Sequence, residues 1–262
     1  MPALVSPTQV EDVRRLDART GAEVVALLAS SVPPTCAGLV PYHAAGYAGF
    51  LAAAVAPPTA LRTVRLRAIR VATAVIAVAD WRLLDSQLFL NGLAVRDDHR
   101  GRGYGSALLT DGLRLAADLG LATLGLDVVT DNAPARSLYR RFGFRDLDYA
   151  VWTDIPAADL ERSGDAGQVG VLDWPAFTAH HAAYGFGDLS VRRGDNRVGR
   201  IRLVGTALRT EPGPAGAALA GALRRLVQPS RSYSIRPAGT GSGDDGFAHV
   251  ARMRLSGATA LR

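Results

Sequence analysis

Apolar residues in this chain come in short runs separated by glycine, proline and polar turns, the pattern of a mixed α/β protein. The opening segment suits an edge strand and then a helix. Ser6 or Thr8 supplies the cap, and Val13, Leu16, Val24, Val25, Leu27 and Leu28 supply apolar positions in a region broken by Gly21. Ser30 to His43 reads as a loop, because its prolines remove backbone donors; Ala44 to Val55 reads as a second helix, ended by Pro57 and Pro58. Extended stretches follow at Thr63 to Asp80 and Leu88 to Val95. Val64 to Ala68 alternates apolar residues with Arg65 and Arg67, the mark of a strand with one wet face, whereas VATAVIAV reads as buried on both sides. Gly92 inside the next run marks a bulge or a close approach of another backbone.

The chain is organised around what comes next. An apolar run, Gln87 to Val95, ends in the basic glycine turn HRGRGYG, His99 to Gly105, which opens at once onto SALLTDGLRLAADLG. That order reads as strand, turn and helix. Glycines there remove side chains and permit unusual backbone angles, so successive N–H groups converge beside a helix N-terminus and form a socket for a pyrophosphate. A second apolar strand, Leu121 to Val129, leads to TDNAPARSLYRRFGF, where Asn132, Ala135, Leu138, Tyr139, Gly143 and Phe144 stand at the spacing NxxAxxLYxxxGF. Two nucleotide-binding readings of the glycines fail. A dinucleotide fingerprint needs a third glycine where Ser106 stands, and a P-loop needs a lysine, which this chain lacks altogether.

Together the RxxGxG loop, Arg100, Gly103 and Gly105, and the downstream NxxAxxLYxxxGF segment resemble the GNAT superfamily of acyl-CoA-dependent N-acyltransferases. The resemblance implies a GNAT fold of class α/β (α+β), a mixed central sheet with helices on both faces. It implies that the backbone of Arg100, Gly101, Arg102, Gly103, Tyr104, Gly105 and Ser106 holds the pyrophosphate of acetyl-CoA. Leu93, Ala94 and Val95 would pair with the pantetheine arm between two splayed strands, Asn132 would contribute to the same site, and Tyr139 would sit by the sulfur. Tyr42, His43, Tyr47 and Phe50 come from the region that builds the acceptor pocket in the family, with ordinary helix packing as the other reading.

In acyl transfer to an amine, the ammonium must lose a proton before its lone pair attacks the thioester, and the departing thiolate gains from a nearby donor. Tyr139 is the expected acid. The family's usual glutamate is missing, since Gln87 and Asn91 hold the acid-like positions and neither accepts a proton near neutrality. Asp127 is the expected base, directly or through water, in a placement similar to acetyltransferases that modify ribosomal-protein N-termini; holding a loop is its alternative role. The expected activity is transfer of an acetyl group from acetyl-CoA to a primary amine, of a small molecule such as an antibiotic or specialised metabolite. A protein N-terminus as acceptor and a non-catalytic acyl-CoA-binding module are the alternatives.

Composition alters this picture little. The 262 residues suffice for two domains, and all 30 basic residues are arginine, giving a net charge of +6. The cofactor's phosphates are a fitting anionic partner. The arginines are scattered rather than interleaved with aromatics, which argues against nucleic acid. Cys36 is the only cysteine, so neither an intrachain disulfide nor a cysteine metal cluster is expected, and no metal is required. Without a signal or membrane-length apolar segment, a cytoplasmic, bacterial protein with no membrane partner is expected, and a homodimer stays open. The second half repeats the order of strands, Pro/Gly turn, helix and strand, with an aspartate and an early proline opening the helix LDWPAFTAHHAAYGF and a hairpin turning at Gly194 to Asn196. It reads as a degenerate, non-catalytic GNAT-like copy: Pro212 and Pro214 remove amides, and no NxxAxxLY follows Ile235. The expected domains are 1–162 and 163–262, joined by a polar linker at AADLERSGDAGQ, the second copy packing on the first and shaping its acceptor cleft.

Overall fold

The computed structural model describes residues 9–162, 169–193, 196–239 and 245–257. They form two compact units that exchange chain segments. The first takes the described residues of Met1–Pro33, Ala48–Leu147 and Ala251–Arg262, the second those of Pro34–Tyr47 and Asp148–Val250. The division therefore falls earlier than the expected boundary at 162. The expected linker supplies a helix, α5 (Ala157–Arg162), which packs on α7 (Pro214–Val227), and Ile155 and Leu160 rest on the second unit's core. Its polar residues had masked a two-sided segment.

In the first unit the strands are β1 (Glu11–Asp12), β2 (Val64–Val71), β3 (Ala74–Leu84), β4 (Gln87–Val95), β5 (Thr123–Val129) and β12 (Ala248–Ser256), in the order β1-β2-β3-β4-β5-β12. The first four pair antiparallel and β4 pairs β5 in parallel, a mixed sheet as expected. What read as one extended stretch from Thr63 to Asp80 is a hairpin, turned at Ala72 with φ 53°. Helix α1 (Ala18–Ser30) is capped by Asp17, whose side chain accepts from Thr20 N–H at 2.8 Å; Ser6 and Thr8 lie outside the described residues. Gly21 does not break that helix but sits inside it, facing Ala48 of α2 (Tyr47–Val55). Helix α3 (Tyr104–Asp118) lies on Trp81, which is fully buried; any side chain at Gly112 would collide with the indole.

The wet face expected for β2 is not there. Arg65 is 3% exposed, and Arg67 pairs with Asp111 of α3 at 3.1 Å and with Asp12 at 3.8 Å. Alternation in β2 thus separates an apolar face from a charged face that is covered, with Arg62 bound to Asp12 at 3.0 Å beside it.

The second unit contains β6 (Arg145–Asp154), β7 (Val169–Leu172), α6 (Trp174–Tyr184), β8 (Phe186–Arg193), β9 (Asn196–Val204), β10 (Ala207–Thr210), α7 and β11 (Arg231–Pro237). Its strand order is β6-β11-β10-β9-β8-β7, so the smaller half repeats the mixed sheet of the first. Pro175 opens α6 as expected, but Asp173 makes no capping hydrogen bond; it sits in the left-handed region at φ 53°. Residues 194–195 of the expected hairpin turn lie outside the described residues. Leu189, Val191, Ile201, Leu208, Leu219 and Leu223 fill this unit's core. Among the described residues no helix is long and apolar enough to cross a membrane.

Candidate active site

The glycine turn does locally what its composition dictates. A short 3-10 turn at Asp97–His99 carries the chain off β4, and Gly103, at φ 83°, is the N-cap of α3 in a left-handed conformation that a side chain would strain. The first helical bond runs from Ala107 N–H to Gly103 O, and no side chain caps the helix. The N–H groups of Tyr104, Gly105 and Ser106 precede that bond and are left for an anion. Gly105 is a close-approach position: a Cβ there would meet the Leu138 side chain at 3.2 Å and that of Leu93 at 3.7 Å. Arg100 fastens the turn, with Nη2 2.7 Å from Asp97 and Nε donating to Val95 O at 3.3 Å, while Gly101 and Arg102 are exposed.

Beside this turn β4 and β5 separate. They pair only from Gln87 to Leu90 with Thr123 to Leu126, although β4 runs on to Val95 and β5 to Val129. On its other side β4 stays paired with β3, where Leu93, Ala94 and Val95 face Ala79, Val78 and Ala77. The register shifts there: Asp80 opposes Gly92 and Trp81 opposes Leu90, so Asn91 is the extra residue of a bulge. The irregularity expected at Gly92 is thus one residue away, and from it onward β4 has a backbone edge that β5 does not use.

Three side chains gather at the bulge, Asn91 with Asp80 and Arg82, and the last two were missed by sequence reasoning. Asp80 is fully buried on β3 and accepts from Arg82 Nη2 at 2.7 Å and from Asn91 Nδ2 at 3.1 Å. The Arg82 guanidinium also lies 5.5 Å from the centre of the Phe50 ring on α2. One signal was present, a carboxylate closing the apolar run VATAVIAVAD, and such a group needs partners when buried.

After β5 comes α4 (Ala133–Arg141), and its motif is largely helix grammar. Asn132 Oδ1 accepts from Ala135 N–H at 3.1 Å, so its observed role is capping. Leu138 packs toward Gly105, and Gly143 at φ 88° lets Phe144 N–H close back on Tyr139 O at 3.1 Å. Tyr139 is 7% exposed and lies 6.0 Å from the Phe144 ring. Burial pushes its phenol up to about 12, and its hydroxyl has no hydrogen-bond partner among the described residues. It is a neutral donor with its proton uncommitted.

Asp127 stands on β5 just past the last paired residue, but it is engaged. Arg252 of β12 reaches it with Nε at 2.9 Å and Nη2 at 3.2 Å, occupying both carboxylate oxygens. That guanidinium comes from 125 residues away in sequence. In the expected acceptor region, Tyr42 and Tyr47 are buried, their rings 5.2 Å apart, with Tyr47 5.6 Å from Phe186; both serve the second unit's packing. His43 is exposed. His99 is paired with Asp98 at 2.7 Å, and His181 contacts Gly205 O at 3.0 Å, so both have structural partners.

Residues 45–144 match the model of the acetyltransferase (GNAT) family. A mycothiol acetyltransferase of Clavibacter michiganensis is 56% identical over 54 residues, 21% of this chain and 18% of that protein. A streptothricin acetyltransferase of Streptomyces lavendulae is 34% identical over 78 residues, 29% of this chain and 41% of that protein. The chain thus spans well under half the length of either curated relative. In fold it is similar to a tandem GNAT protein from the clavulanic acid biosynthesis pathway, with a TM-score of 0.64 at 14% identity over 95% of this chain and 98% of the other. The glycine turn at the head of α3, the divergence of β4 from β5 and the motif of α4 all fall inside the segment that matches the acetyltransferase (GNAT) family, and the fold of the chain as a whole is similar to that of a tandem GNAT protein.

Proposed function

We propose that the first unit transfers an acetyl group from acetyl-CoA to a primary amine of a small molecule, by direct attack in a ternary complex. One observation carries the reading: β4 and β5 part directly beside an uncapped helix N-terminus. The free N–H groups of Tyr104, Gly105 and Ser106 suit a pyrophosphate, and the unpaired edge of β4 at Leu93, Ala94 and Val95 suits the amides of a pantetheine arm. The neutral amine adds to the thioester carbonyl carbon, the C–S bond breaks, and the nitrogen's surplus proton ends on sulfur. Tyr139 supports the departing thiolate by donating its hydroxyl, since a phenol held at about 12 stays protonated throughout the working range.

The base is assigned to water rather than to Asp127 directly, because both oxygens of that carboxylate are occupied by Arg252. Asp127 instead fastens β12 to β5. A small molecule as acceptor is supported by the similarity to a streptothricin acetyltransferase. The test is release of free thiol from acetyl-CoA with a panel of small amines and N-terminal peptides. Turnover with a small amine supports the reading; turnover with peptides alone moves the acceptor to protein N-termini. Tight CoA binding with no turnover, and no effect of Tyr139→Phe, would leave only a binding module.

A further inference from the structure

Asp80 has no part in the acyl-transfer scheme above, and stability does not call for a carboxylate at its position. It is fully buried on β3, directly after the buried run Val75 to Ala79, where a hydrocarbon side chain would be sheltered at no electrostatic cost. Its Oδ2 accepts from two donors, Arg82 Nη2 at 2.7 Å and Asn91 Nδ2 at 3.1 Å. Arg82 supplies the countercharge two residues along the same strand, and is braced in turn, its guanidinium 5.5 Å from the centre of the Phe50 ring. The bond to Asn91 does something else. It crosses from β3 to β4 and ends on the extra residue of the bulge. Because a carboxylate only accepts, that bond also decides which end of the Asn91 carboxamide faces β3: the Nδ2 end.

The bulge lies where such a tether has a use. Leu90 is the last residue of β4 that pairs with β5, and Asn91 is the next. The uncapped start of α3 follows the other end of the same stretch, beyond Val95. A donor with its pyrophosphate at α3 and its arm along Leu93 to Val95 therefore carries its thioester toward Asn91, the closed end of the gap between the strands. We propose that Asp80 is a positioning residue for acyl transfer: by holding Asn91 it sets the course of the β4 backbone at the bulge, and with it the place of the thioester carbonyl. The inference rests on the acetyl-CoA reading above and adds a residue to it. Being fully buried, Asp80 touches neither substrate and acts through Asn91, which is exposed.

The test is a double-mutant cycle on the full chain, read as thiol release from acetyl-CoA with an amine that wild type turns over. Asp80→Ala and Asn91→Ala, each checked by its melting profile for a folded protein, are expected to lower kcat about 10- to 100-fold, the worth of a misplaced reacting group. The KM for acetyl-CoA is expected to stay within about threefold, since the glycine turn and the edge at Leu93 to Val95 are untouched. The double variant is expected to be no slower than the slower single one, within about threefold, because residues acting through one bond do not add. Asp80→Asn, whose amide oxygen still accepts from Asn91, is expected to recover most of the loss in kcat. Independent, multiplying losses overturn the proposal, as does a rise in KM with kcat unchanged. Should Asp80→Ala fail to fold, Asn91→Ala decides: a lowered kcat at constant KM supports the tether, and a wild-type kcat overturns it. If wild type itself releases no thiol with any amine, the acetyl-transfer reading fails and takes this one with it, whereas variants as fast as an active wild type overturn this one alone.

Discussion

The two units each contain a strand, a turn, a helix and a parallel strand, yet only one of these arrangements opens. In the first, β4 pairs with β5 over Gln87 to Leu90 and then leaves it, and α3 starts at Gly103–Tyr104 with its N–H groups uncommitted. In the second, every residue of β10, Ala207 to Thr210, pairs with β11. There α7 starts at Gly213–Pro214, and Pro214 has no N–H to offer. Gly216 is pressed so closely on the Glu211 carbonyl that any side chain would collide with it. Both N-cap glycines have φ 83°, so a positive-φ glycine is common to the halves and is not what makes a site, although only Gly103, not Gly213, is in the left-handed helical conformation. A site needs a strand edge left unpaired next to amides left unpaired. Among the described residues the second half shows neither at β10 and the start of α7.

The comparison can be broken most severely at Tyr139, which has no counterpart in the second half. Tyr139→Phe should lower kcat by about 10²- to 10⁴-fold, the usual worth of a positioned acid, with the KM for acetyl-CoA nearly unchanged. A smaller effect comes from importing the second half's helix start into the first. Tyr104→Pro places proline at the position of Pro214, where a helix tolerates it, and should weaken acetyl-CoA binding about 10- to 100-fold by removing one donor. Tyr104→Ala, which keeps the N–H, should bind distinctly better than the proline variant in the same titration. Asp127→Asn should leave kcat/KM within about twofold and cost about 0.2–1 kcal/mol of stability, the range of exposed ion pairs, read from denaturant melts. A loss of about 100-fold in kcat with unchanged stability would restore Asp127 as the base. Pro214→Tyr is the mildest change: it returns an N–H to α7 but leaves β10 sealed against β11, so no second CoA should bind.

Tyr139 also sets an alkaline limit. Its phenol is raised in the folded protein from an ordinary value of 10.0 to about 12, by burial. Folding therefore favours the protonated form. The stabilisation is fully present below pH 10 and is lost as pH rises from 10 toward about 12. Melting curves of wild type should fall steeply across that interval, and those of Tyr139→Phe should fall less.

Local features were legible in the residues. Asn132 and Gly143 bracket α4 because a cap acceptor and a left-handed glycine act within a turn of the helix they end. The same holds for the Gly103 start of α3, and for the missing amides at Pro212 and Pro214. Features that depend on register or on distant partners were not legible. Arg65 reads as a solvent residue by alternation, yet α3 and its neighbours cover that face. Asp127 reads as an unattached acid, yet Arg252 holds it. Pro34–Tyr47 reads as part of the first half and belongs to the second, and the described residues of Ala251–Arg262 do the reverse.

Sequence by itself determined the glycine turn at the head of α3, the helix that carries Tyr139 and the proline start of α7, because each depends on backbone freedom and capping within a few residues. Tertiary structure alone decided that β4 and β5 part after Leu90, that a bulge at Asn91 is held by Asp80, and that two arginines of α4, Arg136 and Arg140, share the carboxylate of Asp146. Those outcomes depend on which strands pair, over how many residues, and on which charges that pairing brings within reach; no short stretch of chain encodes them.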